Sequence, residues 1–136
     1  MKIRLCLTGL AISIYMLVYK WNPDMVLICP TNGCDTVNSS AYSTFAGVPV
    51  AVMGVIGYLI LLNLQMFNSK LIFLNVIYWV VSCIGFIFSL YLVYLEVYII
   101  HSICFWCTIS LLIITILFLQ AIGQLSNSIR GRDVSH

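Results

Sequence analysis

Long apolar runs alternate with short polar breaks along this chain, and the runs constrain it first. Four of them stand out, at about Leu5–Trp21, Val48–Phe67, Leu71–Leu95 and Ile103–Ile122. A bilayer core of ~30 Å is crossed by roughly 20 apolar residues in a helix, and each run is that long or nearly so. The first is short, but Lys20 at its end can snorkel to the interface. In lipid every backbone group must bond within the spanning structure, which leaves helices or a closed barrel. Barrel-strand alternation is absent from the pattern. The prediction is an all-α integral membrane protein, a four-transmembrane-helix bundle forming a single domain over residues 1–136.

The opening MKIRLCLTGLAISIYMLVYKWNPD has the basic start and apolar middle of a secretory signal. A cleavage site needs small residues at the end of the apolar run, where the chain reads Val18, Tyr19, Lys20 and Trp21. The segment is therefore expected to stay as the first helix. Composition agrees with a membrane protein: 62% of residues are hydrophobic and 7% charged, against about 25% charged in soluble domains. The net charge of +2 is scattered, with no patch to neutralise phosphates, which excludes nucleic acid as a partner.

Charge placement sets the expected orientation. With four spans, Lys2, Arg4, Lys70, Arg130 and Arg132 fall on one side and Lys20 on the other. Basic residues collect in cytoplasmic connections, so both termini are expected in the cytoplasm. The first loop, about Asn22–Gly47, and the short one around Glu96–Ser102 are then extracytoplasmic. Tyr19, Trp21, Tyr94, Tyr98, Phe105 and Trp106 gather at that outer interface, where amphipathic rings are favoured. Cys29, Cys34, Cys104 and Cys107 belong to the same side, an oxidising compartment in which paired cysteines form disulfides.

The pair in CFWC, Cys104 and Cys107, heads the fourth helix. Residues three apart on a helix are neighbours, and the partial positive charge of the N-terminus favours a thiolate. A disulfide between them closes a tiny loop and restrains the unfolded chain little, so it suits redox chemistry better than stapling. The second pair, in CPTNGC, stands in a polar loop that a soluble protein can reach, while the helix pair sits where a lipid-soluble acceptor can reach. Thiol–disulfide exchange through a mixed disulfide could join the two. Two rival readings fit the same cysteines: a four-thiolate zinc site, and static disulfides in a non-enzymatic membrane scaffold or binding protein.

The run CPTNGCDTVNSSAYSTFAGVPVAVMGVIGYLILL resembles the first loop and second helix of the vitamin K epoxide reductase family. The matching positions are Cys29, Cys34, Val37, Ser39 or Ser40, Tyr42, Gly47, Pro49 and Gly54. The stretch CFWCT, Cys104–Thr108, matches that family's active-site motif, and with four helices the resemblance covers nearly the whole chain. It implies a bundle enclosing a quinone (of ubiquinone or menaquinone type) beneath the outer surface, capped by part of the first loop or a short helix. It also implies a quinone-reducing thiol oxidoreductase in a bacterial inner membrane, which generates disulfides by oxidising a thioredoxin-like or DsbA-like partner; animal members recycle vitamin K. Carried over by position, Cys104 and Cys107 are the active pair, with Cys107 nearer the quinone. Cys29 and Cys34 are the relay pair, and Ser40 fixes the capping segment.

The chain departs from the family twice. Vertebrate members place a quinone-binding asparagine near the outer end of the second helix, where this chain reads VPVAVMGVI; Asn63 lies toward the other end. Many bacterial members carry a fused thioredoxin-like domain, whereas this chain ends in SNSIRGRDVSH, so the partner is expected to be a separate protein. An oxidant such as DsbA has a potential near about −120 mV and needs a still more oxidising acceptor. The chain shows no haem, flavin or nicotinamide motif, which leaves a membrane quinone. A DsbB-type generator would carry its Cys-x-x-Cys in the first loop instead.

Several other residues bear on the pocket. Cys107, Thr108, Ser40, Tyr42 and Ser89 are the expected quinone-pocket residues. Thr36–Phe45 is read as a short amphipathic helix over the bundle mouth, with Val37, Tyr42 and Phe45 touching it. Cys6 and Cys83 read as small core hydrophobes, His101 as a solvated interfacial side chain, and Glu96 as facing water. Pro49 fits a helix first turn.

Overall fold

A computed structural model of the chain describes residues 2–22, 24, 28, 33, 36, 39–67 and 71–134. Four helices carry the fold: α1 (Lys2–Trp21), α2 (Val50–Met66), α3 (Ile72–Leu95) and α4 (Phe105–Val134). Each of the four apolar runs became one helix. Three contain stretches long and apolar enough to cross a membrane, Ile3–Trp21, Ile72–Ile100 and Phe105–Gly131, whereas Val50–Met66 is a shorter apolar helix.

The ends differ from the apolar runs for local reasons. Past Ile122 the chain turns polar but meets no proline, so α4 continues to Val134; loss of hydropathy ends a membrane span without ending a helix. Pro49 stands at the N-cap of α2, one residue before its first turn. Beyond Leu95, α3 widens into a π-helical turn, Glu96–Ile100, closed by His101 in the left-handed region at φ 56°.

α1 lies along α2 and α3 along α4. Gly9 lets the first pair close: a Cβ there would stand 2.4 Å from the Tyr58 ring. The core of Ile12, Tyr58, Leu61, Tyr78, Ile113, Ile114, Leu117 and Ala121 draws on all four helices and includes Cys6. Large apolar side chains such as Phe73, Ile84, Ile87, Leu112 and Leu119 point outward. In a bilayer this is expected, since lipid tails are as apolar as leucine and helices associate through packing and polar contacts instead.

One such polar cluster ties the bundle at the end away from Cys104. The Gln65 side-chain amide donates to Tyr78 Oη (2.9 Å) and Cys6 Sγ (3.2 Å). Asn75 donates to Ser128 Oγ and accepts from Gln124, both at 2.7 Å. Cys6 is therefore a hydrogen-bond acceptor inside the core rather than a purely hydrophobic filler.

The segment before α2 departs from the expected single helix. Ala41–Ser43 makes one 3₁₀ turn, and Thr44–Phe45 pairs antiparallel with Val48–Pro49. Ala46 and Gly47, at φ 52° and 82°, form the two-residue connection, the positive-φ geometry that tight hairpins require. That turn draws Thr44 and Phe45 into extended backbone, so no helix runs through Phe45. Val37 lies outside the described residues.

Candidate functional site

The head of α4 is built around Cys104, the residue just before its first turn. The Cys104 carbonyl accepts from Thr108 twice, from the backbone N–H (3.1 Å) and from Oγ1 (3.0 Å), closing the first turn of the helix. The Cys104 N–H donates to Glu96 Oε2 at 3.1 Å. The Glu96 carbonyl takes the Ser102 N–H at 3.0 Å. The π-helical turn and left-handed His101 thus bring the chain back on itself, seating the start of α4 on the Glu96 carboxyl.

Glu96 does not face water. It is 2% exposed, and its Oε1 atom is buried with no hydrogen-bond partner. The ligand atoms of Glu96, Cys104 and Cys107 all lie within 4.8 Å of one another. Hydropathy at the end of a span suggested a solvated carboxylate; the π-helical turn folds it inward instead. His101 is exposed, in keeping with a solvated interfacial residue.

The two cysteines are unequal. Cys104 is fully buried, beside Met16 of α1, whereas Cys107 is half-buried on the inner side of α4. The neighbouring Cys107 thiol, hydrogen-bonded to Cys104, holds the Cys104 thiol below its ordinary value against the opposing pull of burial, and the first amides of α4 add to the effect. Cys104, which precedes the spanning part of α4, is thus the readier thiolate.

Cys107 opens on a cavity of about 180 Å³ between the four helices and the capping segment. The wall is mainly apolar, with Ile12, Met16, Val81, Phe88, Leu92 and Ile114 among its residues. Gly57 lines it with no atom within 4 Å of where a Cβ would stand. Polar groups are few and include Ser13, Ser40, Tyr42, Ser89, Glu96, and Tyr58, whose hydroxyl sits 2.9 Å from Ser110 Oγ. An apolar wall with a small number of placed polar groups suits a flat, lipid-soluble ring compound. Of the expected pocket residues, Ser40, Tyr42, Ser89 and Cys107 line this cavity. Thr108 does not, because its hydroxyl turns back to the Cys104 carbonyl.

Contacts that sequence patterns did not suggest fasten the cap and the first loop. Lys20 Nζ donates to Ser43 Oγ, which donates to the Ser40 carbonyl at 2.8 Å, so the basic residue at the end of α1 anchors the cap over the cavity. Phe45 packs edge-on against Phe88 of α3 at 6.3 Å. The Trp106 indole N–H donates to the Ile28 carbonyl (2.9 Å), the Ile28 N–H donates to Tyr15 Oη (3.2 Å), and the Tyr15 and Trp106 rings lie 5.5 Å apart. Gly33 is buried against Ile103: a Cβ there would come within 2.3 Å of the Ile103 carbonyl oxygen. Cys29 and Cys34 lie outside the described residues. Ile28 and Gly33, which immediately precede them in the chain, both meet the head of α4.

Among the described residues, Glu96, Cys104 and Cys107 could also hold a metal ion by proximity. The four-thiolate zinc reading needs Cys29 and Cys34 as well, outside that set. A carboxylate fixed by the amide of one cysteine, with the other cysteine opening on an apolar cavity, is equally an arrangement for moving electrons and protons. Residues 2–122 of the chain match the vitamin K epoxide reductase family.

Proposed function

This chain belongs to the vitamin K epoxide reductase family, integral-membrane oxidoreductases that act on thiols and quinones, and from that premise we propose that it is a quinone-dependent thiol oxidoreductase that generates disulfides. The observation that carries the reading is the position of Cys107, which lines an apolar cavity while its neighbour Cys104 is sealed behind it. Family membership favours redox exchange over a scaffold with static disulfides.

In this reading α2 crosses as the fourth span; its 17 residues reach about 25 Å at 1.5 Å each. Both termini are cytoplasmic, in a bacterial inner membrane, and the cysteine pairs face the outer compartment. A separate thioredoxin-like protein reduces the Cys29–Cys34 disulfide and leaves as a disulfide itself. One freed loop thiolate attacks Cys104, breaking the Cys104–Cys107 bond and releasing Cys107. The second loop thiolate resolves the mixed disulfide, so the loop bond re-forms and the α4 pair becomes a dithiol. Cys107 then passes two electrons to a membrane quinone of ubiquinone or menaquinone type, and Cys104–Cys107 closes again. Ser40 and Tyr42 hold the cap side of that cavity, and Ser89 offers a hydroxyl from α3.

The test is to replace Cys107 with alanine and follow quinol formation by a reduced thioredoxin-like protein. Turnover is expected to fall to background; wild-type rates would overturn the assignment.

A further inference from the structure

Glu96 is the one carboxyl among the described residues lining the cavity, and the mechanism above leaves it unused. Burying a carboxyl inside a membrane bundle is costly, and such residues by default mark a pathway for ions, protons or substrate. Its surroundings are specific. Oε2 is held by the Cys104 amide at 3.1 Å, Oε1 is buried without a partner, and both sulfurs lie within 4.8 Å. Two uncommon backbone features, the π-helical turn Glu96–Ile100 and the left-handed His101, create this placement. Single π-helical turns are rare and concentrate at functional sites.

We propose that Glu96 carries the proton that leaves the Cys107 sulfur to the quinone oxygen nearest it, so that the carboxyl is the proton arm of the electron transfer. The inference rests on the reading of Cys104 and Cys107 as the quinone-facing couple. The overall step balances as follows. Both S–H bonds break, the S–S bond forms, and one electron pair with two protons ends on the acceptor as two O–H bonds. Glu96 takes the Cys107 proton on Oε1 and releases it to the near oxygen, returning to its starting state. The second proton leaves Cys104 to solvent, and solvent supplies an equal one to the far oxygen.

Other ionisable side chains are placed less well for this role. Tyr58 faces the cavity from α2, but its hydroxyl is committed to Ser110. Tyr42 belongs to the cap and Lys20 of α1 is engaged with Ser43. The alternative role for Glu96 is purely mechanical, an acceptor that caps the head of α4. Glutamine separates the two roles, because its carbonyl oxygen still accepts from the Cys104 amide but its side chain cannot carry the proton.

The experiment compares wild type, Glu96→Gln, Glu96→Asp and Cys107→Ala, with a membrane-permeant dithiol as donor and a soluble quinone as acceptor. A lost proton-transfer group costs about 10²–10⁴-fold in rate. Glu96→Gln is therefore expected to lose about 100-fold or more in kcat while keeping its thermal midpoint and KM for quinone, with part of the rate restored in Glu96→Asp. Infrared difference spectra between the dithiol and disulfide forms of the wild-type protein, without quinone, are expected to contain a carboxyl C=O band. That measurement keeps the test open if the glutamine variant does not fold. Full turnover in Glu96→Gln beside an inactive Cys107→Ala would overturn the proton role alone, as would a carboxyl band indifferent to the sulfur redox state. Full turnover in Cys107→Ala would instead overturn the reading on which the role rests.

Discussion

Cys104 and Cys107 are three residues apart, yet their neighbours give them different chemistry. Cys104 is buried, receives the Cys107 thiol and the first amides of α4, and is held below the ordinary thiol range. In the reduced pair the thiolate should therefore form first at Cys104. The sign follows from the cause. Removing the donor in Cys107→Ala should raise the Cys104 value and move its alkylation rate profile to higher pH. Mass spectrometry of the reduced protein after timed exposure to a small alkylating agent reads this directly. An unmoved profile would mean that the helix amides, and not the second thiol, set the reactivity. The motif alone announced both cysteines, because Cys-x-x-Cys at a helix start is a local pattern. It could not rank them, because the ranking depends on how the Cys107 thiol and the first amides of α4 are turned toward Cys104.

Among the elements, the helices were legible and the segments between them were not. A run of apolar residues dictates a helix wherever water is excluded, so all four formed. Their limits moved where hydropathy and backbone part company: α4 runs past its apolar stretch to Val134, and α3 gives way to a π-helical turn after Leu95. Ile28 and Gly33 of the first loop meet the head of α4, and two predictions belong to that stretch of chain. Cys29→Ala or Cys34→Ala should abolish quinol formation with a protein dithiol while sparing turnover with a small permeant dithiol; equal loss with both donors would contradict a relay. Gly33→Val should reproduce that selectivity in part, because a Cβ 2.3 Å from the Ile103 carbonyl oxygen pushes the loop off α4. A Gly33→Val variant that matches wild type with both donors would show that this contact does not position the relay.

For the molecule as a whole, orientation links the charge pattern to the chemistry. The cavity and the cysteine pair lie at one end of the bundle, and the Gln65–Tyr78 and Asn75–Gln124–Ser128 contacts lie at the other. In the proposed orientation, positive residues near the chain ends put the second end in the cytoplasm. Single cysteines introduced at His101 and Asn127, both exposed, in a background without the native six should report this. A membrane-impermeant maleimide applied to intact cells is expected to label His101→Cys and to spare Asn127→Cys. The reverse pattern would put the thiol chemistry on the reducing side and end the disulfide-forming role.

Hydropathy and charge are properties each residue carries with it, and their transfer energies accumulate along the chain. For that reason the amino-acid order already contained the four helices, the membrane environment and the Cys-x-x-Cys motif. Positions that depend on two distant segments meeting were not written there. Examples are the inward turn of Glu96, the Lys20–Ser43 anchor of the cap, the Gln65 bond to Cys6 and the close approach of Gly33 to Ile103. Each needs a polar group or a missing side chain to find its complement across the bundle. Such complementarity is a property of packing geometry, which no periodicity along one strand of sequence records.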